Sequence, residues 1–214
     1  MIAKGITTQL TNDPEVLIIV DTLSFSTCVD IVVNNGAIAY AVEKNAILAL
    51  PRNMPGYTLS PTSLINIPKN TKLVLPSPNG STLAFQATAP HILVGCLRNA
   101  SSVALAAMKL GKRISLIPAG EKWGDGLMRV SYEDLIGAGA IIHALTGDKT
   151  EEAITASKMF IDSQQQHFQN IYNLYSGLEL IDLGFQNDIN LACQYDISTS
   201  VPILQDGFFT KLKI

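Results

Sequence analysis

The run Val16-Leu17-Ile18-Ile19-Val20, closed at once by Asp21, constrains the fold more than any other segment. An unbroken apolar stretch rich in β-branched residues predicts a strand covered on both faces, because it has no polar side to give to water. Strands of a sheet open to solvent on one face alternate instead. Helices must therefore be supplied to both sides, which is an α/β architecture. Composition agrees: of 214 residues 47% are hydrophobic and 15% charged, and the mean hydropathy is +0.25. A chain of this kind has ample apolar surface to bury and no tendency to disorder.

The plan of strand, polar turn and helix recurs along the chain. After Asp21 come Ser24, Ser26 and Thr27, all N-cap types, then an apolar helical segment over 28–33, a stop at Asn34-Asn35-Gly36 and a strand over 37–42. This predicts one βαβ unit. A second copy runs through a strand at 91–94, a turn at 95–99, caps at Ser101 and Ser102, a helix over 103–110, Gly111 and a strand over 113–117. Internal duplication and the ordinary reuse of parallel crossovers both produce such a pattern. Between the copies, Pro51, Pro55, Pro61 and Pro68 predict an irregular excursion over 51–70. A short strand at 73–75, a turn at 76–80 and a helix from Ser81 follow.

Farther on, Ser131 and Asp134 read as a capping box before a helix over 135–145, whose Gly137-Ala138-Gly139 would let it lie close to a sheet. Asp148 is the expected cap of a long helix over 151–170. Short helices at 176–183 and 187–194 precede a strand pair, 201–204 and 208–212, joined by Gln205-Asp206-Gly207. The expected class is α/β, a three-layer α/β/α arrangement of βαβ units around a largely parallel sheet. One domain over 1–214 is the simplest division, and two similar lobes meeting near residues 75–90 are the alternative.

The charge is −3 and no Lys/Arg cluster exceeds two residues, so nucleic acid is not an expected partner. No apolar run reaches the roughly 18 residues that span a bilayer, which leaves no membrane partner and makes a soluble, cytoplasmic protein the default. Cys28, Cys96 and Cys193 are widely spaced among apolar neighbours and read as reduced, structural thiols. His91, His143 and His167 stand near no acid-base partner in sequence. Walker-type, nucleophile-elbow and dinucleotide glycine motifs are missing.

Three strand ends run into small polar residues at a helix start: 21–27, 77–82 and 98–102. Each is a potential anion site and equally an ordinary capped helix. On one parallel sheet their turns would gather along one edge. Cations are offered by Arg98, Lys122 and Arg129, and carboxylates by Asp21, Glu121, Asp125, Glu133 and Asp134. Such hard oxygen donors suit Mg²⁺. Asp21 carries most weight, because a carboxylate closing a buried strand needs a metal, a cation or N–H donors. Glu133 is open to either role, Asp134 reads as the capping-box acid, and Trp123 either lids a pocket or anchors its loop.

The ordered set Val20-Asp21-Thr22-Leu23-Ser24-Phe25-Ser26-Thr27, Pro78-Asn79-Gly80-Ser81, Gly95-Cys96-Leu97-Arg98-Asn99-Ala100, Ile117-Pro118-Ala119-Gly120-Glu121 and Glu133-Asp134-Leu135-Ile136-Gly137-Ala138-Gly139-Ala140 resembles the 2-phosphosulfolactate phosphatase family. The resemblance implies a Mg²⁺-dependent α/β phosphatase releasing phosphate from a small sulfonated or carboxylated phospho-acid on the route to coenzyme M. Asp21, Glu121 and Glu133 are then the expected metal ligands, and Asp21, Arg98 and Arg129 the expected catalytic groups. Ser26, Thr27, Asn79, Gly80, Ser81 and Asn99 are the expected substrate contacts, and a homodimer is compatible. One position departs: Ser24 stands where many members carry Arg in the pattern Asp-Val-Leu-Arg-Ala, which leaves the substrate open. A non-catalytic anion binder and a lyase or isomerase acting on a phospho-acid are the alternatives.

Overall fold

The computed structural model describes residues 14–40, 45–123 and 127–213. Its main sheet has eight strands: β1 (Val16–Val20), β2 (Ile38–Tyr40), β3 (Ile47–Leu48), β4 (Lys72–Val74), β5 (His91–Val94), β6 (Ile114–Pro118), β9 (Pro202–Gln205) and β10 (Phe208–Lys211), in the order β3-β4-β2-β10-β9-β5-β1-β6. A separate two-stranded hairpin pairs β7 (Glu121–Lys122) with β8 (Met128–Arg129). The helices are α1 (Phe25–Asn34), α2 (Gly80–Gln86), α3 (Ala100–Leu110), α4 (Tyr132–Ala144), α5 (Glu151–Gln165), α6 (Gln169–Tyr172), α7 (Tyr175–Asp182) and α8 (Gln186–Ala192).

The β1 run does what its composition requires. Every residue is buried, and the two sets of side chains point into separate cores. Val16, Ile18 and Val20 pack with α3, α4 and α5, whereas Leu17 and Ile19 pack with α1, α2 and Leu64. Three layers result. Close approach on the first face depends on glycine: a Cβ on Gly137 would lie 2.3 Å from Thr22 Oγ1, and one on Gly139 would lie 2.0 Å from the Ala156 carbonyl oxygen of α5.

Strand directions correct part of the sequence reading. β5, β1 and β6 are parallel, as are β2, β3 and β4, but the hairpin β9–β10 stands between these groups and pairs antiparallel with both neighbours. Followed through the ladders, β2 runs opposite to β1, so residues 15–42 are not a parallel βαβ unit. The second segment is one, since α3 carries the chain from β5 to β6 on either side of β1. The hairpin turns at Asp206 (φ 50°) and Gly207 (φ 83°), successive left-handed residues of the kind that match strand twist.

Two helix expectations also shift. Thr150, not Asp148, caps α5, its side chain accepting from the Ala153 N–H at 3.3 Å. The expected helix to 170 ends at Gln165, because His167 and Phe168 turn left-handed (φ 50° and 60°), and Phe168 is buried beside Phe160 and Tyr195. Burying that ring outweighs prolonging a polar helix.

These connections locate the crevice. α1 leaves β1 toward one face, while α3 and α4 leave β5 and β6 toward the other. The carboxyl end of β1 is therefore a topological switch point, where open α/β sheets leave room for a ligand. Asp21 stands there.

Candidate functional site

Asp21 is 8% exposed, and its surroundings explain how a carboxylate survives there. The Phe25 and Gly80 N–H groups, at the starts of α1 and α2, lower its pKa, and the Gly80 N–H donates to Ser77 Oγ at 3.1 Å, which in turn lies 3.4 Å from Asp21 Oδ2. Helix starts favour a negative charge. Burial, followed by the charge of Glu121 and then that of Glu133, nevertheless pushes Asp21 up to about 7. Gly80 is required by this closeness: a Cβ would fall 2.5 Å from Phe25 Cδ1 and 2.8 Å from Asp21 Oδ2.

Glu121, the first residue of β7, accepts a hydrogen bond from Asn79 Nδ2 at 2.7 Å. A carboxylate only accepts, so this bond fixes the amide and leaves Asn79 Oδ1 buried without a partner. Glu133, in the first turn of α4, is 4% exposed and its Oε2 is likewise buried without a partner. Both orphans are oxygens, as are the atoms of Asp21. Stranded acceptors around a crowded negative centre call for a cation. The donors fit Mg²⁺, which takes hard oxygens and keeps several waters. Among the described residues no three His, Cys, Asp or Glu side chains are gathered tightly enough to hold one ion by themselves, so Asp21, Glu121 and Glu133 do not stand as a closed triad.

Asp134 is not the capping-box acid. Its Oδ1 accepts from the Thr22 N–H at 2.7 Å and its Oδ2 from the Gly120 N–H at 3.0 Å, tying the turn after β1 to the turn after β6. Ser131 caps α4 by position, with no side-chain bond. Burial, then the charges of Asp21 and Glu133, raise Asp134 well above the usual carboxylate range. Thr22 Oγ1 donates to the Glu133 carbonyl at 3.0 Å, so the start of α4 is fastened twice to the turn after β1.

Arg129 stands opposite Glu121 in the β7–β8 ladder, and directly paired residues share a face. Its guanidinium carbon lies 5.2 Å from the Trp123 ring centre and 4.7 Å from that of Tyr175, and Nη2 donates to Ser176 Oγ at 2.9 Å. Asp125 and the Lys122 side chain lie outside the described residues.

A family model described as 2-phosphosulpholactate phosphatase matches residues 52–207, well over half of the chain. The chain belongs to the 2-phosphosulpholactate phosphatase family. It is 29% identical over 154 residues to the 2-phosphosulfolactate phosphatase of Methanothermobacter thermautotrophicus, covering 72% of this chain and 65% of that protein. It is 27% identical to the probable 2-phosphosulfolactate phosphatase of Caldanaerobacter subterraneus subsp. tengcongensis, covering 89% and 88%. The first alignment thus spans just under two thirds of its relative's length.

Several residues that the family resemblance marks do not join this centre through their side chains. Ser26 Oγ accepts from the Asp21 N–H at 2.8 Å and faces the Ile19 carbonyl at 3.2 Å, and Thr27 Oγ1 donates to the Thr22 carbonyl at 2.6 Å. Both hydroxyls shape the turn that presents Asp21. Ser81 Oγ accepts from the Ser77 N–H and donates to the Ser77 carbonyl. Asn99 accepts from the Cys96 N–H at 2.9 Å and donates to the Ser200 carbonyl at 3.0 Å. Arg98 is spent on Asp30, 2.9 Å away, on the Leu191 carbonyl and on Gln194. The 98–102 turn is covered by the segment at 196–200 rather than open to a ligand.

Sequence reasoning missed Asp30 and Asp188. Asp30 is fully buried between Arg98 and Ser198, and the available signal was an acid inside the apolar run of α1. Asp188 pairs with Arg52 and accepts from Ser60 Oγ, the Thr62 N–H and Thr62 Oγ1, which pins the 51–70 excursion to α8. Arg52 Nη2 also reaches the Leu23 carbonyl at 3.4 Å, beside the Asp21 turn.

Proposed function

We propose that this protein is a Mg²⁺-dependent phosphomonoester hydrolase acting on 2-phosphosulfolactate or a close phosphorylated lactate-type acid. The observation that supports the reading is the buried Asp21 at the switch point, burdened by the charges of Glu121 and Glu133, together with buried oxygens of Glu133 and Asn79 that have no protein partner. The substrate is suggested by the relatives, which are a 2-phosphosulfolactate phosphatase and a probable one.

Asp21, Glu133 and the Asn79 amide oxygen would hold the ion, with Glu121 orienting Asn79 and adding charge. When bound, Mg²⁺ supplies positive charge to a phosphoryl oxygen and lowers the pKa of water. The protein's own part is to place these oxygens. The Phe25 and Gly80 N–H groups favour the charged form of Asp21, Asp134 locks the turns after β1 and β6 together, and Glu121 fixes the amide whose oxygen is left without a protein partner. Arg129 brings a cation to the hairpin position paired with Glu121, while Arg98 supports the fold through Asp30.

Phosphate release from 2-phosphosulfolactate, measured with Mg²⁺ and with EDTA, tests the proposal. Turnover in Mg²⁺, its loss in EDTA and its loss in folded Asp21→Asn are expected. Full turnover in EDTA would remove the metal from the account, and full turnover in Asp21→Asn would remove Asp21.

A further inference from the structure

We infer that Arg129, seated in the corner between Trp123 and Tyr175, receives the second acidic group of the substrate, the carboxylate or sulfonate that is not transferred. This rests on the phosphatase reading and names the element that selects among phosphomonoesters. The two rings meet edge to face, with centres 5.3 Å apart and planes at 74°, and the guanidinium lies over both. Trp123 is 43% and Tyr175 58% exposed, so neither ring is there to fill a core. Together they hold a flat cation in one orientation at the surface.

The fork is only partly used. Nη2 is taken by Ser176 Oγ, whereas Nε is buried without an acceptor. A buried N–H donor left unpaired is costly, and an oxyanion bound in the plane of the guanidinium relieves it with charge-assisted bonds. Place matters as much as chemistry. Arg129 is the direct ladder partner of Glu121, and Glu121 is bonded to Asn79, so the hairpin ties the backbone of the corner to the Glu121 side of the carboxylate centre. A small phospho-acid whose phosphate lies on the Asp21 side would turn its second acid toward this hairpin. Ser176 and Tyr175 come from the start of α7, so a helix far along the chain sets substrate preference.

Trp123 is the only tryptophan, which makes it a built-in reporter. Its fluorescence is titrated with 3-sulfolactate and, separately, with inorganic phosphate. A saturable change with the sulfonate that phosphate does not reproduce, and its loss in Arg129→Lys, are expected, because lysine keeps the charge but not the planar fork. The same variant and Tyr175→Leu are expected to lower the preference for the phospho-acid over p-nitrophenyl phosphate, as a ratio of kcat/KM, by about tenfold, mainly through KM of the phospho-acid. An equal response to phosphate, a response that survives Arg129→Lys, or an unchanged preference ratio would overturn the inference. If the wild type releases phosphate from neither ester, the phosphatase reading fails, and the fluorescence titration still decides whether the corner binds the second acid.

Discussion

Gly80 has no room for a methyl group, since Phe25 and Asp21 lie within 3 Å of where it would go. Gly80→Ala is therefore expected to displace Asp21 or the start of α2, cost about 1–3 kcal/mol of stability and depress kcat/KM more than stability alone explains. Thermal melting beside turnover checks both. Asp21 also carries a pH signature. Its folded pKa of about 7 stands above the ordinary 3.8, so its contribution to stability is full at low pH and is lost as pH rises through about 7. Asp134 is shifted in the same direction. Metal-free protein is thus expected to melt lower at pH 8 than at pH 5 on this account, with a smaller drop in Asp21→Asn. An identical drop in that variant would contradict it. At this scale Asp21 was legible as a carboxylate closing a buried strand and Glu121 as a hard oxygen donor, while Glu133 read as open to either role. The work of Asp134 was not legible, because its partner Thr22 lies 112 positions away.

Between elements, two side chains show why local pattern misleads. Asp148 and Thr150 are both cap types in sequence, and only Thr150 reaches the first-turn N–H of α5. Thr150→Ala is expected to cost about 1 kcal/mol and Asp148→Ala much less, measured by denaturant midpoint. Arg98 at a helix start looks the same whether its counter-charge is a substrate or a protein acid. Here it is Asp30, fully buried. Arg98→Met leaves that carboxylate buried without its cation and is expected to cost about 3–5 kcal/mol, while Arg98→Met with Asp30→Leu recovers most of the loss. Failure of the double variant to recover would mean that Arg98 acts elsewhere.

For the molecule as a whole, the buried strand β1 and the turn after it were readable because hydrophobic pattern reports burial. Pattern does not report direction. A strand at 38–40 reads the same up or down, so nothing local revealed that β9–β10 would insert between two parallel groups and reverse their relation. The hairpin itself was legible from Asp206-Gly207, since its geometry is a local property. No helix among the described residues is long and apolar enough to cross a membrane. The thiols follow the core: Cys28 and Cys96 are buried, and burial pushes Cys96 and Cys193 up to about 12 and Cys28 well above its usual range. A disulfide-exchange reagent at pH 8 is expected to label the native protein only slowly and all three cysteines promptly in denaturant.

Calorimetric titration of Mg²⁺ into the wild type and Glu133→Gln tests most directly the proposal that the stranded oxygens around Asp21 share a cation. One saturable site in the wild type, weakened at least about tenfold in the variant, is the predicted result. Equal binding by the two proteins, or none by the wild type, would contradict it.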